Sequence, residues 1–246
     1  MITYGLIGNP LSHSWSARWF SEKFRDEKIK DRVYRDFPLS SLEDFPALIR
    51  DHPDLVGLNV TIPYKEKIIP FLDETDVIAA KIGAVNTIQI FRKNGIVQLK
   101  GFNTDAPGFL GSADFSGHQH ALVLGTGGAA KAVAFALGSI GISVLFVSRS
   151  DKGPGSITYE NLTKTVLSKH TLIVNATPLG MSPSVESCPP IPWQWLSNDH
   201  FLYDLVYNPS TTIFLAKGAM ASARVQNGLR MLEIQAGLSY RIWNEG

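Results

Sequence analysis

Apolar residues fall into short blocks separated by turn residues, and the blocks switch between two spacings. Ile2–Ile7 is mostly apolar and stops at Gly8-Asn9-Pro10, a strand followed by a turn. Ser14–Phe24 places Trp15, Trp19, Phe20 and Phe24 close to helical spacing. Val33–Phe37 and Leu55–Val60 read as strands, and Leu42–Ile49 reads as a helix that Ser40-Ser41 can cap. Val77–Ile82 predicts a short helix. Thr87–Phe91 and Ile96–Leu99 flank Lys93-Asn94-Gly95, a hairpin signal because Asn-Gly tolerates the positive φ angles of a tight turn. This alternation predicts an α/β unit with largely parallel strands plus a hairpin.

From residue 120 the pattern changes. His120–Leu124 and Ile142–Val147 are nearly continuous apolar runs, as expected of strands buried on both faces of a parallel sheet. A helical stretch, Lys131–Leu137, lies between them and is broken by Gly138–Gly141. Leu172–Val174 and Phe201–Val206 predict two more strands. Leu229–Trp243 has one apolar stripe and predicts a final helix.

Length and charge narrow the reading. At about 150 residues per domain, 246 residues allow one large domain or two small ones. Of the 45 charged side chains, 28 precede residue 106, which hints at a boundary there. With 44% apolar and 18% charged residues the chain can build a core. Lys plus Arg is 23 against 22 for Asp plus Glu, a net +1 that leaves no footprint for nucleic acid or a membrane surface. The lone Cys188 excludes an intrachain disulfide and suits a reducing compartment. No leader segment is visible, and no apolar run reaches the roughly 18 residues of a membrane span. A cytoplasmic protein acting on a small molecule, as monomer or homodimer, is expected. The six histidines are scattered and show no metal-ligand spacing, so no metal is expected.

Gly125-x-Gly127-Gly128-Ala129-Ala130 fits the dinucleotide-binding pattern and has a predicted strand before it and a helix after it. Gly125 allows the tight turn, Gly127 lets a pyrophosphate approach the backbone, and the helix start offers N–H groups to it. The next strand ends at Ser148-Arg149-Ser150. An acidic residue there would hold the ribose 2′-hydroxyl of NAD; Arg149 instead suits the 2′-phosphate of NADP.

Three polar clusters follow strand candidates. They are Asn9–Ser16, Asn59–Lys65, and Asn86-Thr87 with Asn103-Thr104-Asp105. Strand carboxyl ends converge on one crevice in such sheets. The clusters supply hydroxyls, amides, one Lys and one Asp, an inventory that suits a small polyhydroxylated anion and, taken alone, equally suits helix caps and turns.

Taken in order, the motifs resemble the shikimate dehydrogenase family. They are Gly8-Asn9-Pro10…Ser14-x-Ser16, Asn59-Val60-Thr61-x-Pro63-x-Lys65, Gly83-Ala84-Val85-Asn86-Thr87 and Asn103-Thr104-Asp105-x-x-Gly108. Gly125-x-Gly127-Gly128-Ala129, Asn175-Ala176-Thr177-Pro178-x-Gly180, Asp204-x-x-Tyr207-x-Pro209 and Gly228-x-x-Met231-Leu232-x-x-Gln235 continue the series. The resemblance implies two α/β domains with a cleft between them: a substrate domain, residues 1–103 with 228–246, and a Rossmann-like NADP domain, residues 104–227. It implies reversible, NADPH-dependent reduction of 3-dehydroshikimate to shikimate, a step of aromatic amino-acid biosynthesis.

By the same resemblance Ser14 and Ser16, assisted by Tyr207, hold the substrate carboxylate. Thr61, Asn86, Asp105 and Gln235 hold ring hydroxyls, and Lys65 with Asp105 acts at the reacting oxygen. Gly125, Gly127, Gly128, Ala129, Ser148, Arg149, Ser150, Leu205 and Gly228 hold NADP(H). Ala17 departs from the proline usual in the family, and residues 151–174 are short for it, which predicts a reduced or missing helix. A quinate or dual quinate/shikimate dehydrogenase is the nearest alternative. Methylenetetrahydrofolate dehydrogenase has a similar plan without the serine pair. A catalytically silent NADP-binding regulatory protein is a third reading, disfavoured because Lys65 and Asp105 are both present.

Overall fold

A computed structural model describes residues 1–11 and 15–245. The chain divides into two compact units, Met1–Thr104 with Ala236–Gly246 and Asp105–Gln235.

The first unit carries β1 (Ile2–Gly8), α1 (Trp15–Asp26), β2 (Arg32–Pro38), α2 (Phe45–Asp51) and β3 (Leu55–Val60). Then come β4 (Glu74–Thr75), α3 (Val77–Ile82), β5 (Thr87–Lys93) and β6 (Ile96–Phe102). The sheet order is β2-β1-β3-β5-β6-β4. β1 runs parallel to β2 and β3, whereas β5 is antiparallel to both β3 and β6. The ends of β1, β3 and β6 and the start of β5 therefore share one edge, where Asn9, Thr61, Asn86 and Asn103 lie.

The hairpin turns where Asn94 and Gly95 take φ of 52° and 77°. The single helix expected over Leu42–Ile49 is instead a 3-10 turn, Leu42–Asp44, followed by α2. Ser41 accepts from the Glu43 N–H at 3.2 Å, and Pro46 has no N–H to continue the first turn, so the helix restarts at Phe45.

Two apolar clusters cover the sheet. Phe45, Ile49, Leu55, Leu58 and Ile88 belong to one, and Tyr4, Phe20, Phe24, Tyr34 and Trp243 to the other. Gly57 is needed beneath Trp243, because a Cβ there would lie 2.4 Å from the indole. Trp15 and Trp19 stack at 5.8 Å and pack against the second cluster.

The second unit begins with α4 (Asp105–Leu110), then β7 (His120–Leu124), α5 (Gly128–Ser139), β8 (Ser143–Ser148) and β9 (Ser156–Thr158). It continues through α6 (Lys164–Lys169), β10 (Leu172–Asn175), β11 (Phe201–Asp204), α7 (Ile213–Met220) and β12 (Arg224–Asn227). Helix α8 (Leu229–Asn244) starts here and ends in the first unit.

All five pairings are parallel, and the order is β12-β11-β10-β7-β8-β9. Numbered from β7, this is the 3-2-1-4-5-6 order of a Rossmann sheet, with its switch point between β7 and β10. Strand alternation puts Leu122, Ile173 and Leu202 among Phe214, Leu167 and Trp193. Phe201 and Tyr203, on the other parity, meet Phe109 and Phe115.

No helix joins β8 to β9; a loop with positive φ at Gly153 and Gly155 does so, and α6 has only six residues. β11 ends two residues before the expected Val206, because the Val206 N–H is taken by the Asp204 carboxylate at 3.0 Å. Among the described residues no helix is long and apolar enough to cross a membrane, and no group of three His, Cys, Asp or Glu could hold a metal ion.

Candidate functional site

The residues along this edge of the first unit are placed by backbone bonds from neighbouring segments. Thr61 follows β3, donates its N–H to Ile7 at 2.9 Å and accepts from the Tyr64 N–H at 2.9 Å. Lys65, half-buried in the same turn, accepts the Val85 N–H at 2.7 Å. Asn86 precedes β5 and is buried. Its Oδ1 accepts the Thr104 N–H at 2.7 Å and its Nδ2 donates to Thr104 Oγ1 at 2.9 Å. That pair of bonds fixes which way the Asn86 amide faces.

Ser16, in the first turn of α1, is buried, and its hydroxyl bonds the Tyr34 phenol. Tyr34 donates to Asn59 Oδ1 at 2.9 Å, and Asn59 Nδ2 donates to Ser239 of α8 at 2.9 Å. One buried polar chain thus runs from Ser16 towards Asn86. Ser14 lies outside the described residues.

In the second unit Asp105 is the first residue of α4 and is buried. One turn later, a Cβ on Gly108 would lie 3.0 Å from the Gln235 Cβ and 3.1 Å from the Met231 carbonyl. The missing side chain lets α4 and α8 approach, and it brings Gln235 to the helix that begins with Asp105. The Gln235 amide donates to the Leu232 carbonyl at 3.0 Å.

At the switch point, Gly125 adopts φ +106°, which a side chain resists. Its N–H donates to Val147 at 2.8 Å, and a Cβ would meet Thr177 and Ala176 at 3.2 and 3.3 Å. Gly127 caps the twelve-residue α5, and a Cβ built on it meets nothing within 4 Å. That open space, with the first N–H groups of α5 at Gly128 and Ala129, fits the pyrophosphate of a dinucleotide.

Arg149 is exposed at the end of β8, near the Tyr159 phenol. Burial pushes that phenol up to about 12, and the Arg149 charge pulls the other way. Asp151 spends its carboxylate on the Gly153 N–H at 2.8 Å. Ser148 donates to the Ser150 carbonyl and shapes the turn. Arg149 thus stands exposed just after the carboxyl end of β8.

Gly228 sits against Leu205. An added Cβ would lie 2.3 Å from the Leu205 oxygen and 2.7 Å from its carbonyl carbon, so only glycine fits. Tyr207 follows, half-buried. A surface depression of about 460 Å³ beside Trp193, Lys217 and Met220 holds none of these residues.

Asp204 carries chemistry that the apolar reading of β11 hides. It is fully buried and accepts from Asn175 Nδ2 at 2.9 Å, the Val206 N–H at 3.0 Å and Thr212 Oγ1 at 2.6 Å. Burial outweighs these bonds and pushes its carboxyl from 3.8 up to about 6. The native state therefore keeps this proton to higher pH than the unfolded chain does. Its contribution to stability is complete below pH about 4 and is lost as pH rises through about 6. At about 1.4 kcal/mol per pKa unit, the change is about 3 kcal/mol. Urea unfolding should show wild type losing that much relative to Asp204→Asn between these limits; a pH-independent difference would refute the assignment.

The first part of the chain, residues 6–88, matches the family model described as the shikimate dehydrogenase substrate binding domain. The shikimate dehydrogenase (NADP(+)) of Carboxydothermus hydrogenoformans is 38% identical over 260 residues, covering 97% of this chain and 90% of that one. Shikimate 5-dehydrogenase of Thermus thermophilus, solved in complex with NADP(H) and shikimate, superposes with a TM-score of 0.85 at 32% identity, over 100% of this chain and 94% of that one. Quinate dehydrogenase of Corynebacterium glutamicum, solved in complex with NAD, has a TM-score of 0.85 at 25% identity, over 100% and 94%.

Proposed function

Because the chain belongs to the shikimate dehydrogenase family, we propose that it catalyses the reversible, NADPH-dependent reduction of 3-dehydroshikimate to shikimate. The single observation that carries the cofactor and the chemistry is the Gly125 turn at the switch point, with Arg149 rather than an acid one strand on. Gly125, Gly127, Gly128 and Ala129 hold the pyrophosphate, and Arg149 holds the 2′-phosphate. Leu205 and Gly228 border the nicotinamide. When bound, NADPH supplies the hydride.

The remaining work falls to side chains of this protein. Reducing a ketone builds negative charge on its oxygen, and an ammonium beside it stabilises that charge and delivers the proton. Lys65 takes this role. Asp105 is the second catalytic group and accepts the neighbouring hydroxyl. Ser14, Ser16 and Tyr207 hold the carboxylate, and Thr61, Asn86 and Gln235 hold the ring hydroxyls. A site that bonds each hydroxyl rejects an analogue lacking one by roughly 10⁴-fold, since its buried groups are left unpaired. The lone cysteine suits work in a reducing cytoplasm.

Initial rates with shikimate or quinate, each with NADP or NAD, test the reading. Shikimate with NADP should give the largest kcat/KM. The quinate dehydrogenase likeness makes the alternative specific: a larger value for quinate would replace this proposal with that one.

A further inference from the structure

Two loops of the second unit, one of them packed against the Gly125 turn, are tied to one carboxylate. The loop after β10 reaches Asp204 through Asn175, whose Nδ2 donates to Asp204 Oδ1 at 2.9 Å. The Asn175 Oδ1 accepts from the Thr177 hydroxyl at 2.6 Å and from its N–H at 3.1 Å, and Nδ2 also reaches the Leu179 carbonyl at 3.3 Å. Thr177 is the side chain that a Cβ on Gly125 would touch.

The loop after β11 reaches the same carboxylate twice. The Val206 N–H donates to Oδ1 at 3.0 Å, and the Thr212 hydroxyl donates to Oδ2 at 2.6 Å. Leu205, between Asp204 and Val206, presents the carbonyl that packs on Gly228.

These bonds link the wall of the pyrophosphate turn to the residue that abuts Gly228, with Asp204 in the middle. Asp204 is wholly buried and touches neither loop's outer face, so it acts through others. We propose that Asp204 is a positioning residue that sets the spacing between the Thr177 loop and the Leu205 loop, and with it the affinity for the dinucleotide. The inference rests on the functional reading above for the identity of the cofactor. A carboxylate suits the task because it accepts from donors on both loops at once, and a charge-assisted bond is stronger than a neutral one.

The test is NADP binding to the intact protein by calorimetry, without substrate, so that it is separate from the shikimate assay. Asp204→Ala should raise the Kd for NADP by about tenfold or more, since two loops lose a charged acceptor. The Kd for shikimate, measured alone, should move much less. Thr212→Val removes one hydroxyl at nearly constant volume and should raise the NADP Kd in the same direction, and Thr212→Ser should restore it. The Thr212 pair decides the matter if Asp204→Ala does not fold. Unchanged NADP affinity in folded Thr212→Val, or an equal loss for shikimate and NADP, would overturn the proposal. Failure of wild type to turn over shikimate, with NADP still bound, would instead strike the functional reading.

Discussion

Lys65→Ala is expected to lower kcat by about 10²–10⁴-fold, the range for losing a positioned general acid, with the Kd for NADP unchanged. In the reduction direction the carbonyl oxygen gains charge as the hydride arrives. Without an ammonium, water must supply the proton and nothing fixed offsets the charge. The Lys65 backbone is held by Val85 at 2.7 Å, so truncating the side chain leaves the turn in place. The glycine turn and Arg149, proposed to hold NADP, belong to the second unit, and Lys65 belongs to the first. Single-turnover rates with calorimetric NADP binding check this. Turnover near wild type would remove Lys65 from the chemistry, and loss of NADP binding would show that the substitution had damaged the fold.

Arg149→Ala is expected to raise the KM for NADP by about 10- to 100-fold, with the KM for NAD little changed. A guanidinium–phosphate pair is bidentate and charge-assisted, and hydrogen bonds to charged groups contribute about 1.5–3 kcal/mol. Each 1.4 kcal/mol or so is a factor of ten. Arg149 is exposed, so added salt should shrink the effect. Arg149→Lys should recover only part of it, because an ammonium cannot form the fork. Equal changes for NADP and NAD would mean that Arg149 shapes the turn and does not read the phosphate.

The parts of the fold legible in sequence are those where a local requirement leaves a local mark. β7 lies in the middle of a parallel sheet and reads as an unbroken apolar run. Gly125 has φ +106° and no substitute, so the turn announces itself. The hairpin was equally plain, from Asn94-Gly95. β12 left no mark: Arg224–Asn227 is an edge strand with two exposed positions, and its composition is mostly polar. β9 is three residues long, and α4 contains both Pro107 and Gly108 in six. The helix α7 could have been found, since Thr212 stands before an apolar run and caps it at Leu215.

The site divides in the same way. Positions such as Gly228 and Gly125 answer backbone needs that a motif records. The buried chain from Tyr34 through Asn59 to Ser239 spans sequence separations of 25 and 180 residues, and no spacing rule reaches that far. Asp204 sits at the end of an apolar strand, and only the fold shows that two loops hang on it.

The measurement closest to the central claim is the forward reaction. The purified protein is mixed with 3-dehydroshikimate and NADPH, loss of reduced cofactor is followed by absorbance, and the product is identified by chromatography. The account predicts one shikimate formed for each NADPH consumed. NADPH that stays reduced, while shown by calorimetry to be bound, would contradict it.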